Sequence, residues 1–269
     1  MTPRKTTPRR WTTLAATSVT LAVGAPMHAE VRLPRLSIYA PAQQDAQLWQ
    51  VQAEGGEGGE SGAVAGLADD AAYLTQLSIV EGHLRAAATM YKNGLTEDAI
   101  ALSFHPEAEM MDAVRAGLAA HGAKDISPLM VEFSAAMEAG EPAAAVDAAL
   151  EKVSAAIDAA QSVDAKAIKT RFAALTALTR AAASEYAGSL KEGKVADVMA
   201  YNEAHAFIEV ARDLATGLQT PAEKPSARVL DALKGADEAF GDLTKPEARD
   251  PAILAAVAAR VELISSAVR

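Results

Sequence analysis

The sequence predicts an all-α protein: an antiparallel up-and-down helical bundle, or two adjoining bundles, behind an irregular acidic, glycine-rich N-terminal segment. From residue 66 onward, apolar residues recur at helical spacing, and no segment alternates over the length of a strand. Alanine is abundant, and glycine or proline stands between the periodic runs, as is usual at helix ends. The connections are short, which favours antiparallel neighbours.

The first 29 residues predict a cleaved export signal. A basic start precedes an apolar stretch, residues 14–25, that is too short to span a bilayer, and small residues mark cleavage after Ala25 or Ala29. The basic residues are Arg4, Lys5, Arg9 and Arg10. No later stretch is long and apolar enough to be a transmembrane helix, so we expect a periplasmic protein that is not integral to the membrane.

Composition narrows the function classes. Cleavage of the signal would remove four basic residues and no acid, which changes the formal charge from −10 to −14. Such a surface disfavours nucleic acid and anionic membranes and suits cationic ligands. The chain has no cysteine, so disulfides, thiolate ligands and thiol nucleophiles are excluded. Stability must therefore come from a hydrophobic core.

Residues 30–65 predict an irregular segment. Pro34 and Pro41 interrupt short apolar runs, and residues 54–62 contain too much glycine to be helical. One interpretation is a flexible acidic tether. The other is a loop that lends Glu57 or Glu60 as an oxygen ligand to a cation on the helical body.

Residues 66–269 predict one helical bundle domain, with a possible internal boundary near residue 162. Glycines and prolines between the periodic runs set the expected helix ends. The predicted helices lie near 66–92, 96–103, 106–121, 127–139, 142–161, 164–192, 194–217, 225–234 and 250–268.

Two histidines flank a predicted helix turn symmetrically. Gly94 follows the first helix, where a left-handed residue is favoured, and Thr96 is the expected N-cap of the next helix. His83 stands 11 positions before Gly94 and His105 stands 11 positions after it. If the two helices fold back on each other, both imidazoles lie at the same height, which predicts a metal site there.

Two carboxylates accompany these histidines. Glu81 occupies a position in an apolar stripe between Leu77 and Leu84, where a buried carboxylate needs a partner or a metal ion. The alternative is that Glu81 is half-exposed, or neutralised by Arg85 one turn later. Glu109 follows His105 at the same i, i+4 spacing.

The segment from His105 to Met111 combines a helix break with ligating residue types. Pro106 disfavours helical backbone at His105, so we expect a new helix to start at Pro106 with His105 as its cap. Imidazoles with carboxylates and no thiolate suit iron, manganese, zinc or copper. Met110 and Met111 would favour copper if they faced the ion, although both also suit core packing.

The predicted hairpin around Gly193 is a second candidate region. Glu185 and Tyr201 are equidistant from Gly193, Glu203 lies among apolar residues, and His205 follows Tyr201 by one turn. These residues predict either an interhelical hydrogen-bonded layer, a second ligand set, or the other half of a site shared with His83 and His105. The simplest interpretation of His121, at a helix end, is a residue favoured by the helix dipole.

No catalytic signature accompanies these groups. The nucleophile elbow, the phosphate-binding glycine loop and the His-Glu-x-x-His motif are all absent from the sequence. We therefore expect a protein that is not an enzyme.

The residues around Gly193 also carry a family resemblance. The run Ala-Ser-Glu-Tyr-Ala-Gly-Ser-Leu-Lys-Glu-Gly-Lys-Val at 183–195, with Tyr-Asn-Glu-Ala-His-Ala-Phe at 201–207, resembles a helical hairpin from extracytoplasmic domains of bacterial iron permeases. The exported, all-helical character with a His/Glu site is similar to imelysin-like iron-uptake proteins. The imelysin motif Gly-x-His-x-x-Glu is altered here, because Gly82 directly precedes His83 and residue 86 is alanine. The resemblance therefore assigns no ligand, but it implies a link to iron uptake.

Two main hypotheses follow. The first is a periplasmic metal-binding accessory for iron or copper uptake or storage, which acts by binding and handover, with an inner-membrane metal transporter as a candidate partner. Its proposed ligands are His83, His105 and Glu109, with Glu81 as a ligand or a residue supporting one. The second is an exported helical scaffold of an envelope complex that binds no metal. A weaker third is a sensor-like bundle that binds a small organic cation.

Overall fold

The computed structural model describes residues 62–67, 69–162 and 168–268. The predicted export signal, most of the irregular segment and the two loop residues Glu57 and Glu60 lie outside the described residues. The possible boundary near residue 162 borders the undescribed residues 163–167.

From Asp69 onward the described chain forms ten α-helices, which confirms the predicted all-α fold. They are α1 (Asp69–Lys92), α2 (Thr96–Ser103), α3 (His105–Glu109), α4 (Met111–Ala120), α5 (Ser127–Glu138), α6 (Ala143–Ser162), α7 (Ile168–Gly188), α8 (Val198–Gly217), α9 (Glu223–Leu233) and α10 (Ala252–Ser266). A short 3-10 helix, Lys234–Glu238, follows α9, and one two-stranded sheet lies between α7 and α8. None of the described helices has the length and apolar character needed to cross a bilayer.

Helix α1 is the central element, because it contributes to two hydrophobic cores. Every residue from 77 to 84 is buried, so neighbours cover this stretch on all sides. Leu77, Val80 and Leu84 belong to an N-terminal core formed mainly by α1 to α6. Ile79 belongs to a C-terminal core formed mainly by α7 to α10. The structure thus consists of two adjoining bundles that share α1.

The connection between α7 and α8 is a small β-hairpin that the sequence did not predict. Strands β1 (Leu190–Lys191) and β2 (Lys194–Val195) pair antiparallel. Glu192 and Gly193 both have positive φ, at 52° and 72°, as the tight turn of a two-residue hairpin requires. The carboxylate of Asp197 then caps α8 by accepting a hydrogen bond from the amide of Ala200. Helices α7 and α8 therefore run antiparallel, side by side.

The segment after α1 differs from the prediction in its details. Gly94 adopts the expected left-handed conformation, with φ of 83°, but Leu95 is the N-cap of α2 and no side chain caps that helix. Pro106 has no amide hydrogen to donate to the α2 carbonyls, and α2 ends at Ser103, as predicted. Helix α3 begins one residue earlier than predicted, with His105 as its first residue and Phe104 as its N-cap. The single helix predicted near 106–121 is divided at Met110 into α3 and α4.

Candidate metal centre

His83 of α1 and Glu203 of α8 form a buried pair between the two bundles. The Nδ1 atom of His83 lies 2.7 Å from Oε1 of Glu203, and the two side chains are 1% and 6% exposed. An ionised carboxylate can only accept a hydrogen bond, so Nδ1 of His83 carries the hydrogen and donates the hydrogen bond to Glu203. The two residues are 120 positions apart in the chain.

His105, the first residue of α3, completes the cluster from its solvent side. Its Nδ1 atom lies 3.8 Å from Oε1 of Glu203, and its side chain is 35% exposed. The rings of His83 and His105 approach edge to face, with centroids 6.2 Å apart. The structure therefore brings together the two histidines that stand symmetrically about Gly94.

These three residues place their ligand atoms near enough to one another to be a candidate metal site. His83, His105 and Glu203 each offer one ligand atom, and these atoms all lie within 4.8 Å of one another. Metal–nitrogen and metal–oxygen bonds of about 2.0–2.2 Å place neighbouring ligand atoms about 3–3.5 Å apart. The present separations of up to 4.8 Å exceed that spacing, so the three side chains would have to move closer together to bind one ion. An ion would then take the place of the proton shared by His83 and Glu203.

The electrostatics of the cluster favour an ionised carboxylate beside a basic imidazole. Burial by itself would raise the pKa of Glu203, but the charges and hydrogen bonds of His83 and His105 outweigh it and lower that pKa to about 2. The hydrogen bond and charge of Glu203 raise the pKa of His105 above its usual value, against the opposing effect of burial. Glu203 is thus ionised at neutral pH, which is the state in which a carboxylate binds a cation.

Close packing of α1 on α8 sets the position of the buried pair. A Cβ atom on Gly82 would lie 2.2 Å from Cδ1 of Phe207, a distance that no real side chain tolerates. Phe207 stands one turn after Glu203, and its ring packs nearly perpendicular to that of His83, with the centroids 5.6 Å apart. The absence of a side chain at residue 82 therefore allows His83 and Glu203 to reach each other.

Glu109 lies at the edge of the cluster, one turn after His105. Its Oε1 atom is 3.8 Å from Nδ1 of His105, and its side chain is 25% exposed. Glu109 is thus placed beside His105 to serve as an additional ligand, although it is not one of the three residues whose ligand atoms all lie within 4.8 Å of one another.

The structure does not bring Glu81 to this cluster. Its buried carboxylate accepts two hydrogen bonds from the guanidinium of Arg85, at 3.1 and 2.7 Å, and Arg85 also binds Asp213 of α8 at 2.6 Å. Burial raises the pKa of Glu81, while the charge of Arg85 acts in the opposite direction. His83 lies two positions after Glu81 and therefore projects from a different part of the helix surface. Glu81 is therefore neutralised by Arg85, which was the alternative to a metal ligand at this position.

The remaining candidate residues occupy other environments. His205 packs edge-on against Phe240 at 5.0 Å, and burial lowers its pKa. His121 is the C-cap of α4, where its ring stacks on Tyr73 at a centroid distance of 4.2 Å.

Tyr201 accepts a hydrogen bond from the amide of Gly241, and Glu185 is buried. Both methionines pack with hydrophobic residues: Met111 is in the N-terminal core and Met110 is partly buried between the two cores.

Glu203 is the cluster residue that sequence reasoning did not select as a ligand. The available signal was its position among Met199, Ala206 and Val210, which indicated burial of a carboxylate. Nothing local showed which helix it would face, because its histidine partners come from α1 and α3. Of the three alternatives for the hairpin around Gly193, the one that matches the structure is a single cluster shared with His83 and His105.

Residues 162–269 match the family described as the iron permease-associated 4-helix bundle domain. The described part of this range contains four α-helices, α7 to α10, as that description requires. The match covers less than half of the chain and includes Glu203, but neither His83 nor His105. It confirms the resemblance to iron-permease-associated helical proteins and indicates a role linked to iron uptake. No curated protein and no solved structure matches the chain significantly.

Proposed function

We propose that this chain, whose C-terminal bundle is similar to an iron permease-associated domain, is a periplasmic iron-binding protein that supplies an iron transporter. It acts by binding and handover, without catalysing a reaction. His83, His105 and Glu203 bind the ion, and Glu109 assists at the rim. Iron is the cargo in this scheme, and the permease is the partner that receives it.

The observation that carries this proposal is the convergence of two imidazoles and one carboxylate at a single point. Within the described residues, these three form the one group of histidine and acidic side chains close enough together to hold a metal ion. Imidazole and carboxylate are ligands that suit iron. The group lies where the matched bundle meets the rest of the chain, because Glu203 belongs to the former and the histidines to the latter.

The exposure of the ligands supports a route for entry and release. His83 and Glu203 are almost fully buried, whereas the side chain of His105 is 35% exposed and that of Glu109 is 25% exposed. An ion from solvent therefore meets His105 and Glu109 before it reaches the buried pair. Release follows the reverse order, and a partner's ligand can replace the outer two residues while His83 and Glu203 still hold the ion.

The sequence features of the N-terminus and the net charge agree with this role. The basic and apolar stretches before Ala29 favour export, and the acidic surface attracts cations to the mouth of the site. Intact-mass measurement of protein recovered from the periplasm should place the mature N-terminus near Pro26 or Glu30. Recovery of protein that retains Met1 in the cytoplasm would contradict the export part of the proposal.

Metal-dependent stabilisation of the untagged protein tests the binding part. An ion that binds only the folded state adds about 2.7 kcal/mol of stability at a hundredfold excess over Kd, which raises the melting temperature measurably. We expect that rise in the full chain, and we expect His83→Ala, His105→Ala and Glu203→Gln each to remove most of it. His121→Ala and Glu209→Gln are matched controls, since His121 lies at the α4 C-terminus and Glu209 pairs with Arg212.

A specific observation also favours the scaffold hypothesis. The 2.7 Å bond between His83 and Glu203 would join two helices equally well in a protein that binds no metal. In that case elemental analysis finds no bound metal, and none of the five variants changes a metal-dependent melting shift, because no such shift exists. The same set of measurements therefore distinguishes the two functions.

A further inference from the structure

The charge of the ligand set bears on the oxidation state of the iron it would accept. The cluster contains two imidazoles, which are neutral when they bind a metal, and one carboxylate, Glu203. Glu109, beside His105, offers a second carboxylate at the rim. Glu203 alone supplies one negative charge. The two carboxylates together supply two, which balance a divalent ion and leave a trivalent ion with one excess positive charge.

Burial increases the cost of such an imbalance. Glu203 and His83 are 6% and 1% exposed, so water does little to stabilise a net charge on the inner side of the site. Transfer of an uncompensated charge into such an environment is strongly unfavourable. A divalent ion bound by Glu203 and Glu109 together would carry no net charge, whereas a trivalent ion at the same ligands would retain one unit.

The described tyrosines do not supply the hard anionic oxygen that a trivalent ion would need. Each of their hydroxyls is hydrogen-bonded to backbone: Tyr73, Tyr91, Tyr186 and Tyr201. Tyr186, for example, donates to the carbonyl of Ala239 and accepts from the amide of Arg249, each at 3.0 Å. Burial also raises the pKa of Tyr186, so its phenol stays neutral. Tyr73, Tyr91 and Tyr186 donate their hydroxyl hydrogens to backbone carbonyls, so using one of them as a phenolate ligand would require breaking that hydrogen bond.

On these grounds we propose that the site formed by His83, His105 and Glu203 selects ferrous over ferric iron. This inference rests on the proposed iron-binding function and adds the oxidation state of the cargo. Two histidines and one carboxylate with open positions is a ligand set typical of Fe(II) in proteins. Selection acts on ionic charge, so other divalent ions such as Zn²⁺ and Co²⁺ also bind. The open positions belong to water or to a ligand from the partner that receives the ion.

Paired titrations of the untagged full chain test this inference. Fe(II) is added under anaerobic conditions, and Fe(III) is added as its nitrilotriacetate complex, with the chelator's own affinity taken into account. Co²⁺ serves as a redox-inert divalent probe, whose visible absorption reports nitrogen and oxygen ligands. We expect Fe(II) and Co²⁺ to bind one site, and Fe(III) to bind at least tenfold more weakly than Fe(II). Glu203→Gln should remove the Co²⁺ absorption.

A designed change of charge supplies a second measurement. His105→Asp replaces a neutral ligand by an anionic one at the more exposed position, so the ratio of Fe(III) to Fe(II) affinity should rise at least tenfold. His121→Asp makes the same replacement outside the cluster, at the end of α4, and should leave the ratio unchanged. Circular dichroism confirms that each variant is folded. If His105→Asp does not fold, the wild-type titration decides the question.

The outcomes separate this inference from the function on which it rests. If Fe(III) binds as tightly as Fe(II) and Glu203→Gln abolishes both, the protein is an iron-binding protein but the selection for ferrous iron is wrong. If neither ion nor Co²⁺ binds the folded wild-type chain, the proposed function is wrong and this inference falls with it.

Discussion

Gly82 lies so close to the ring of Phe207 that a Cβ atom at residue 82 would be 2.2 Å from Cδ1 of Phe207. Glycine in a helix is unfavourable by about 1 kcal/mol relative to alanine, so its presence in α1 needs a structural reason. The reason is the approach of α8, which carries both Phe207 and Glu203. The next residue in α1 is His83, whose imidazole reaches Glu203 at 2.7 Å.

Replacement of Gly82 should therefore weaken both the fold and the metal site. We expect Gly82→Ala to destabilise the protein by about 1–3 kcal/mol, because overpacking outweighs the gain of about 1 kcal/mol in helix propensity. Gly217→Ala is the matched control, since that glycine ends α8 with open space around it. Urea unfolding measures the stability of both variants, and the metal-dependent rise in melting temperature measures the effect on the site. An unchanged or raised stability for Gly82→Ala would show that α1 and α8 are less tightly packed than described.

Glu81→Gln should separate stability from metal binding. Its carboxylate accepts two hydrogen bonds from Arg85 in a buried position, so the substitution should cost about 1–3 kcal/mol. Arg85 retains Asp213, which limits the loss. The metal-dependent rise in melting temperature should stay within experimental error of the wild type. Loss of that rise would restore Glu81 as a ligand.

Acid should remove the contribution of Glu203 to folding stability. Its pKa is lowered to about 2 in the folded state from an ordinary value of 4.5, so the ionised carboxylate stabilises the fold above pH 4.5. This contribution declines as pH falls from 4.5 towards 2. We expect Glu203→Gln to cost about 1–3 kcal/mol near neutral pH, with the difference from wild type shrinking through the acid range.

The measurement is urea unfolding of the metal-free wild type and Glu203→Gln at several pH values between 2 and 7. Glu209→Gln, on the same helix but paired with Arg212, provides the control and should show a smaller pH dependence. A cost of Glu203→Gln that does not change with pH would contradict the lowered pKa.

Metal affinity should fall as the solution is acidified. An imidazole must lose its proton to bind a metal ion, and Glu203 raises the pKa of His105 above the ordinary value of 6.5. The loss should therefore begin above pH 6.5 and approach tenfold per pH unit for one displaced proton. Calorimetric titration with Zn²⁺ between pH 5.5 and 8 measures it. An affinity that is constant across this range would show that no histidine binds the ion.

The hydroxyl of Tyr186 should stabilise the loop between the 3-10 helix and α10. It bonds the carbonyl of Ala239 and the amide of Arg249, and Tyr186→Phe leaves both backbone groups without it. We expect a loss of about 1–3 kcal/mol, and faster hydrogen exchange in residues 239–250. Tyr91→Phe is the control, because its exposed bond to Glu141 should contribute less. Equal losses of stability in Tyr186→Phe and Tyr91→Phe would contradict the prediction that the buried hydroxyl of Tyr186 contributes more.

Much of the candidate site was visible in local sequence patterns. Gly94 was expected to end α1 in a left-handed conformation, and it does. The equal spacing of His83 and His105 about Gly94 indicated that their imidazoles would approach each other, and the ring centroids lie 6.2 Å apart. Proline chemistry likewise predicted a helix break before Pro106, which the structure places one residue earlier than expected, at Phe104. What local pattern did not determine was the partner of Glu81, because the apolar stripe and the i, i+4 spacing to Arg85 supported different readings of one residue.

The sequence by itself determined the helical class, the positions of most helix ends and the pairing of two histidines across a turn. The first two follow from backbone and side-chain preferences over a few residues. The third also required the helices on either side of Gly94 to fold back on each other, which their short connection favoured. Only the tertiary structure decided that Glu203, 120 residues after His83, completes the cluster. That contact depends on how closely α8 packs against α1, which is set by Gly82 and Phe207 together and by neither residue alone.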